Sequence, residues 1–213
     1  IDPLTVMFLI NAVYFKGDWT RRFPKDKTAN APFTTRAGAQ RTVPLMRVED
    51  TLLYAQNDLY QVVDLPYGGK AFSMTLLLPR EGRDVKEVVA SMSAASWAQM
   101  VAGLQRKEGT VFLPRFKLEW EKLLNETLKG MGMVDAFDPV LADFTRISDQ
   151  ALLLQMYVSK VKQKTYVDVN EVGTEAAGVT SVEMGVTSIP DRFLFRADRP
   201  FVFVIRERFS QTI

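Results

Sequence analysis

The chain has 213 residues, 27 basic and 25 acidic, for a formal net charge of +2, and contains neither cysteine nor histidine. Its length suffices for one sizeable core, and its near-balanced charge supplies no field to steer nucleic acid or an acidic membrane. Disulfides, thiol nucleophiles and thiolate metal sites are excluded, and the usual general base and commonest transition-metal ligand are missing from this region.

Leu4 to Phe15 is apolar and β-branched. It predicts a central strand buried on both faces, with Asn11 in its middle requiring hydrogen-bond partners. The apolar run from Leu4 to Ile10 predicts that the chain begins inside a strand. No charged-then-apolar leader is visible, and no run reaches the length of a membrane span. Between Thr34 and Leu78, strand-like runs cover Thr42 to Met46, Leu52 to Ala55, Tyr60 to Leu65 and Phe72 to Leu78, with Gly68-Gly69 marking a hairpin. Val85 to Leu104 carries apolar residues near helical spacing and predicts one helical segment. Leu123 to Met131 predicts a second helix closed by glycine. Leu152 to Val169 is strand-rich. No repeat, low-complexity tract or linker interrupts the chain, so one domain is expected.

Short motifs along the way have bland explanations. Ser159-Lys160-Val161-Lys162 matches the S-x-x-K nucleophile pattern, but its flanks favour a strand, which sends Ser159 and Lys162 to opposite faces. Gly130-Met131-Gly132 lacks the third glycine of a dinucleotide loop and ends a helix instead. Asp135, Asp138 and Asp143 are spaced unlike a calcium loop and suit caps or solvated turns. The basic residues are scattered without aromatic interleaving, which argues against nucleic acid. Trp19, Trp97 and Trp120 are expected in the core.

The stretch from Asn170 to Ser181 is the most informative. From Thr174, alternate residues read Thr174, Ala176, Gly178, Thr180, Val182, Met184 and Val186, all uncharged, while Glu175 and Glu183 share the other parity. That is the pattern of a strand with one buried face. Yet the inward set is small, and Gly173, Gly178 and Gly185 weaken a permanent strand. The segment reads as a conditional strand.

Glu171-Val172-Gly173-Thr174-Glu175-Ala176-Ala177-Gly178 resembles the hinge of the reactive loop of inhibitory serpins. Asn11-Ala12-Val13-Tyr14-Phe15-Lys16-Gly17-Asp18-Trp19, Leu65-Pro66-Tyr67, Leu113-Pro114-Arg115-Phe116, Ala142-Asp143-Phe144 and Phe195-Arg196-Ala197-Asp198-Arg199-Pro200-Phe201 follow the family's landmarks in order. The resemblance implies an α+β serpin fold: a large mixed β-sheet, further sheets and helices, and an exposed reactive loop at about residues 171–194. It also implies that residues 1–213 are the C-terminal part of a single domain truncated at both ends, since the family continues past Ile213 into one more strand.

The function implied is inhibition of serine-type endopeptidases by a suicide-substrate mechanism. Cleavage of the loop leads to its insertion as a new strand, which traps the acyl-enzyme. By the family's spacing the reactive bond is Thr187-Ser188; counting back from Arg199 gives Val186-Thr187 as the alternative. Glu171 is implied to pair with Arg115. Asn11 and Trp19 match positions that control opening of the large sheet, and Gln163 departs from the family by standing where a histidine is usual. The implied partner is a serine protease of elastase-like or subtilisin-like preference. The implied protein is an extracellular monomer with no cofactor, metal, nucleic acid or membrane. A non-inhibitory carrier or chaperone on the same fold is the alternative. Such proteins commonly carry proline, charge or bulk on the inward parity of the hinge, and this hinge has none there.

Overall fold

A computed structural model of the chain describes residues 7–151, 153–174 and 192–213. In chain order the elements are β1 (Phe8–Tyr14), β2 (Gly17–Asp18), β3 (Ala29–Thr34), β4 (Gln40–Gln56), β5 (Tyr60–Pro66), β6 (Phe72–Pro79), α1 (Val85–Ala90), α2 (Ala94–Ala102), β7 (Gln105–Pro114), β8 (Phe116–Leu123), α3 (Asn125–Gly130), β9 (Lys160–Val169), β10 (Gly173–Thr174), β11 (Phe193–Arg196) and β12 (Val202–Glu207). They fall into two compact units, one of Ile1–Phe15 with Lys117–Val167 and one of Lys16–Phe116 with Asp168–Ile213.

The second unit is built on a sheet ordered β11-β7-β4-β5-β6-β12, with β3 also paired to β4. Among the described strands of this sheet, only β11 runs parallel to its neighbour, β7. The alternating and continuous apolar runs of β4, β5, β6 and β7 make the core: Met46, Val62, Val63, Met74, Leu76, Leu77, Val111 and Leu113 are buried. On one face Val62 and Leu77, cross-strand partners, meet Val88 of α1 and Met100 of α2. The predicted single helix from Val85 to Leu104 is two. Each part starts with its own capping box, Asp84 with Glu87 and Ser93 with Ser96, so the chain stops and restarts at Ser91–Ser93. Across β5, β6 and β12, buried Asp64 accepts hydrogen bonds from Thr75 (2.6 Å) and from Arg206 Nη2 (3.2 Å), a charge pair that fixes their register.

In the first unit β1 pairs in parallel with β9, from Phe8↔Lys160 to Tyr14↔Tyr166, and β8 pairs with β9. The strand predicted from the run at Leu4 is present from Phe8, but it is not buried on both faces. Leu9, Asn11 and Tyr14 are exposed, and Ile10 is 64% exposed. Apolar runs report what a strand can bury, not what lies over it. Trp120 on β8 is likewise 48% exposed rather than core. The strand expected from Leu152 is shorter and starts at Lys160. Ser159 donates its hydroxyl to the Met7 carbonyl (2.6 Å), while Lys162 reaches Glu121 on β8 (2.5 Å). The two side chains therefore have separate structural partners. Asp138 and Asp143 accept turn amides from Val140 and Thr145, and Gly132, at φ +98°, closes the turn after α3.

Candidate functional site

The candidate site lies where β9 ends and the chain turns through Asn170, Glu171 and Val172 into β10. The Asn170 side chain accepts from the Val172 amide (3.0 Å), and the Asn170 amide donates to the Gly173 carbonyl (3.0 Å). This closes a tight turn of the kind asparagine favours. Trp19 fastens the turn from the far side of β2. Its indole N–H donates to the Asn170 carbonyl (2.9 Å) and its backbone N–H to the Val172 carbonyl (2.9 Å), while the Phe23 amide binds the Glu171 carbonyl (2.9 Å). Gly173 is required here. A Cβ at this position would come within 2.2 Å of the Gly17 carbonyl oxygen and 2.5 Å of the Asp18 Cα, and backbone atoms cannot step aside.

Glu171 points inward, its side chain 3% exposed. Arg115, just past β7, donates Nε to both carboxylate oxygens (2.7 and 2.8 Å), adds Nη2 to Oε1, and is joined by the Thr28 hydroxyl (2.7 Å). Burial pushes the Glu171 carboxyl up, but the hydrogen bonds from Arg115 and Thr28 outweigh it and hold the group below the ordinary value. The expected Arg115–Glu171 pair is thus present as geometry, with a buried acid and a guanidinium half open to solvent.

The pair has a thermodynamic signature. A lowered folded pKa contributes stability that is present above the unfolded value, about 4.3, and lost as pH falls through the folded one. Glu171→Gln is expected to lower stability by about 1–2 kcal/mol at neutral pH, below the full range for charged hydrogen bonds because Arg115 can turn to water. The gap between wild type and variant in thermal unfolding should shrink below about pH 4. A gap independent of pH would deny the carboxylate this role.

Beyond the turn, β10 is antiparallel to β2, with Gly173↔Asp18 and Thr174↔Gly17, and Thr174 also pairs with Val169 at the end of β9. Thr174 is 1% exposed. Its hydroxyl lies 2.9 Å from that of Tyr67, whose ring stacks on Trp19 with centroids 4.4 Å apart. Tyr67 and Thr28 were not singled out as site residues from the sequence. They stand 107 and 143 residues from their partners, and no local pattern encodes such contacts.

The other expected positions divide. Asn11 and Gln163 are register partners in the parallel β1–β9 pair of the first unit. Trp19, Arg115, Glu171, Gly173 and Thr174 come together in the second. Glu175, Ala176, Ala177, Gly178 and both assignments of the reactive bond, Thr187-Ser188 and Val186-Thr187, lie outside the described residues. Past them, Arg192 is ion-paired with Glu108 (3.3 Å) and Glu49 (4.0 Å), and buried Phe193 stacks on Tyr54 (4.2 Å). Among the described residues no cluster of His, Cys, Asp or Glu is arranged to hold a metal ion, and no helix is long and apolar enough to cross a membrane.

A family profile described as Serpin (serine protease inhibitor) matches residues 1–213, and curated serpins align with the chain at 33–38% identity. The chain belongs to the serpin family. The leukocyte elastase inhibitor of Homo sapiens is 35% identical over 222 residues, covering 100% of this chain and 58% of that protein. The thermophilic serpin tengpin in its native state superposes with a TM-score of 0.84 at 31% identity, over 99% of this chain and 54% of tengpin. Human thyroxine-binding globulin gives 0.84 at 26% identity, over 100% and 55%. The chain spans about half the length of the curated relatives it matches. The fold is therefore that of a partial serpin, with mixed sheets and few helices, from a family described by inhibition of proteases rather than by an enzymatic reaction.

Proposed function

We propose that the complete protein is a suicide-substrate inhibitor of serine-type endopeptidases, whose loop after Glu171 inserts as a strand once cut. The observation that carries this reading is the hinge itself: Thr174 already holds a strand position beside Val169 and Gly17, and the uncharged parity from Thr174 to Val186 continues that register. The next residues need only extend a pairing that has begun. Residues 1–213 supply the C-terminal part of the single domain, acting as a monomer. Asn11, Gln163, Trp19 and the Glu171–Arg115 pair restrain sheet opening. The extracellular setting rests on the resemblance alone.

The target is a protease that accepts small or β-branched residues before the cut, elastase-like or subtilisin-like, because Val186-Thr187-Ser188 offers nothing to a trypsin-like pocket. Arg192, the nearest basic residue, is engaged by Glu108 and Glu49 and leads straight into buried Phe193. Incubating the complete protein with a protease panel should give stoichiometric, irreversible loss of activity for such enzymes, with a released C-terminal peptide starting at Ser188 or Thr187. A cut after Arg192 without either product would refute the assignment. The carrier reading has one observation in its favour, the likeness to thyroxine-binding globulin. Turnover of the protein as an ordinary substrate by every protease tested would leave that reading standing.

A further inference from the structure

We propose that Tyr67 is a positioning residue of the hinge, its hydroxyl holding Thr174 in place as the first residue of the loop seated in the sheet. Tyr67 follows β5, and the hairpin tip that carries it is fastened to the end of β2 by several bonds. The Thr20 amide donates to the Pro66 carbonyl (2.9 Å), the Gly68 amide to the Asp18 carbonyl (2.8 Å), and the Thr20 hydroxyl to the Gly68 carbonyl (2.8 Å). The ring is clamped by Trp19 at an interplanar angle of 13°. Only 4% of Tyr67 and 1% of Thr174 reach solvent, so their 2.9 Å contact is made without competition from water. A buried hydroxyl keeps a partner or destabilises the site. Burial also pushes the Tyr67 phenol far above its ordinary pKa, with the Thr174 hydrogen bond partly offsetting it, so the phenol remains an uncharged O–H at working pH.

Thr174 thus has two alternatives, seated between Val169 and Gly17 with its hydroxyl on Tyr67, or unseated toward the loop. The bond from the phenol to Thr174 bears on that equilibrium. In the seated form Gly173, one residue before, is paired with Asp18. What seating does for function rests on the inhibitory reading. If the loop enters from the seated hinge, unseating delays insertion while deacylation of the protease proceeds unchanged, and more molecules are spent as substrate.

The test uses the complete protein with Tyr67→Phe, Thr174→Val, the double variant and Thr174→Ser. Amide hydrogen exchange in the peptide spanning residues 170–175 reads seating without any protease. The number of molecules consumed per protease trapped reads its consequence. Tyr67→Phe and Thr174→Val are each expected to raise hinge exchange about three- to tenfold, the ratio one buried neutral hydrogen bond supports. They should not add in the double variant, and Thr174→Ser should restore wild-type exchange. Consumption per trapped protease should rise in parallel. Unchanged hinge exchange in a folded Tyr67→Phe protein overturns the proposal, as do additive effects. Raised exchange in a protein whose wild type traps no protease upholds the seat and overturns the inhibitory reading instead.

Discussion

Cutting the complete protein at Thr187-Ser188 is expected to raise its thermal midpoint markedly, by about ten degrees or more. An ordinary protein nicked in a long loop loses a chain constraint and gains nothing in return. Here the freed segment carries an uncharged face from Thr174 to Val186, with Glu175 and Glu183 on the other parity. Its first residue already occupies a strand position, paired with Val169 and Gly17. A strand of about a dozen residues between two partners gains on the order of ten ladder bonds at ~1 kcal/mol net each. Each kcal/mol moves the midpoint by about 2–4 °C at this chain length, and by less in a larger protein. On the inhibitory reading the intact molecule is metastable, kept from this state by closure of the loop at both ends: the Trp19, Glu171 and Arg115 contacts on one side, Arg192 and Phe193 on the other. Calorimetry of intact and loop-cleaved protein decides it. An unchanged or lowered midpoint after verified cleavage sinks insertion and favours the carrier reading.

Thr174→Arg is expected to turn the inhibitor into a substrate while the protein stays folded. Sequence parity alone places an arginine on the inward face of the incoming strand. The fold makes the effect larger, because Thr174 is buried and bonded to Tyr67 before any cut is made. An unpaired guanidinium there faces a desolvation cost of several kcal/mol, which the chain relieves by releasing residue 174 and keeping the Gly173–Asp18 pair. The loop remains cleavable, insertion starts one pair behind, and deacylation overtakes it. Loss of the trapped complex with normal cleavage and near-normal thermal unfolding is the expected result. Undiminished trapping by Thr174→Arg would remove seated insertion as the mechanism.

What the sequence revealed followed from how local each signal is. The runs at Tyr60 to Leu65 and Phe72 to Leu78 gave strands within a residue or two, because their β-branched and apolar side chains are buried by the same unit that holds them. The helix from Val85 to Leu104 was read too long, although Ser93 and Ser96 carry the capping box that restarts it. Apolar spacing continues across a cap. The burial expected for β1 and Trp120 failed for a different reason. Periodicity says which side chains want cover, and Leu9, Ile10 and Tyr14 of β1 remain exposed in a chain half the length of its relatives. Of the parity read from Thr174 to Val186 only Thr174 lies among the described residues, and the Arg115–Glu171 contact was expected from the resemblance alone. Tyr67 and Thr28, contacts made across most of the chain, became visible only in three dimensions.

The central claim is a covalent trap set by an inserting loop, and the mass of the denatured reaction mixture tests it most directly. The complete protein is mixed with an elastase-like or subtilisin-like protease, denatured, and weighed by mass spectrometry. The account predicts an adduct equal to the protease plus the portion of this protein ending at Thr187 (or Val186), less one water, together with the free C-terminal peptide. Two cleaved fragments and unmodified, active protease with every enzyme of the panel, and no adduct at any time point, would contradict it.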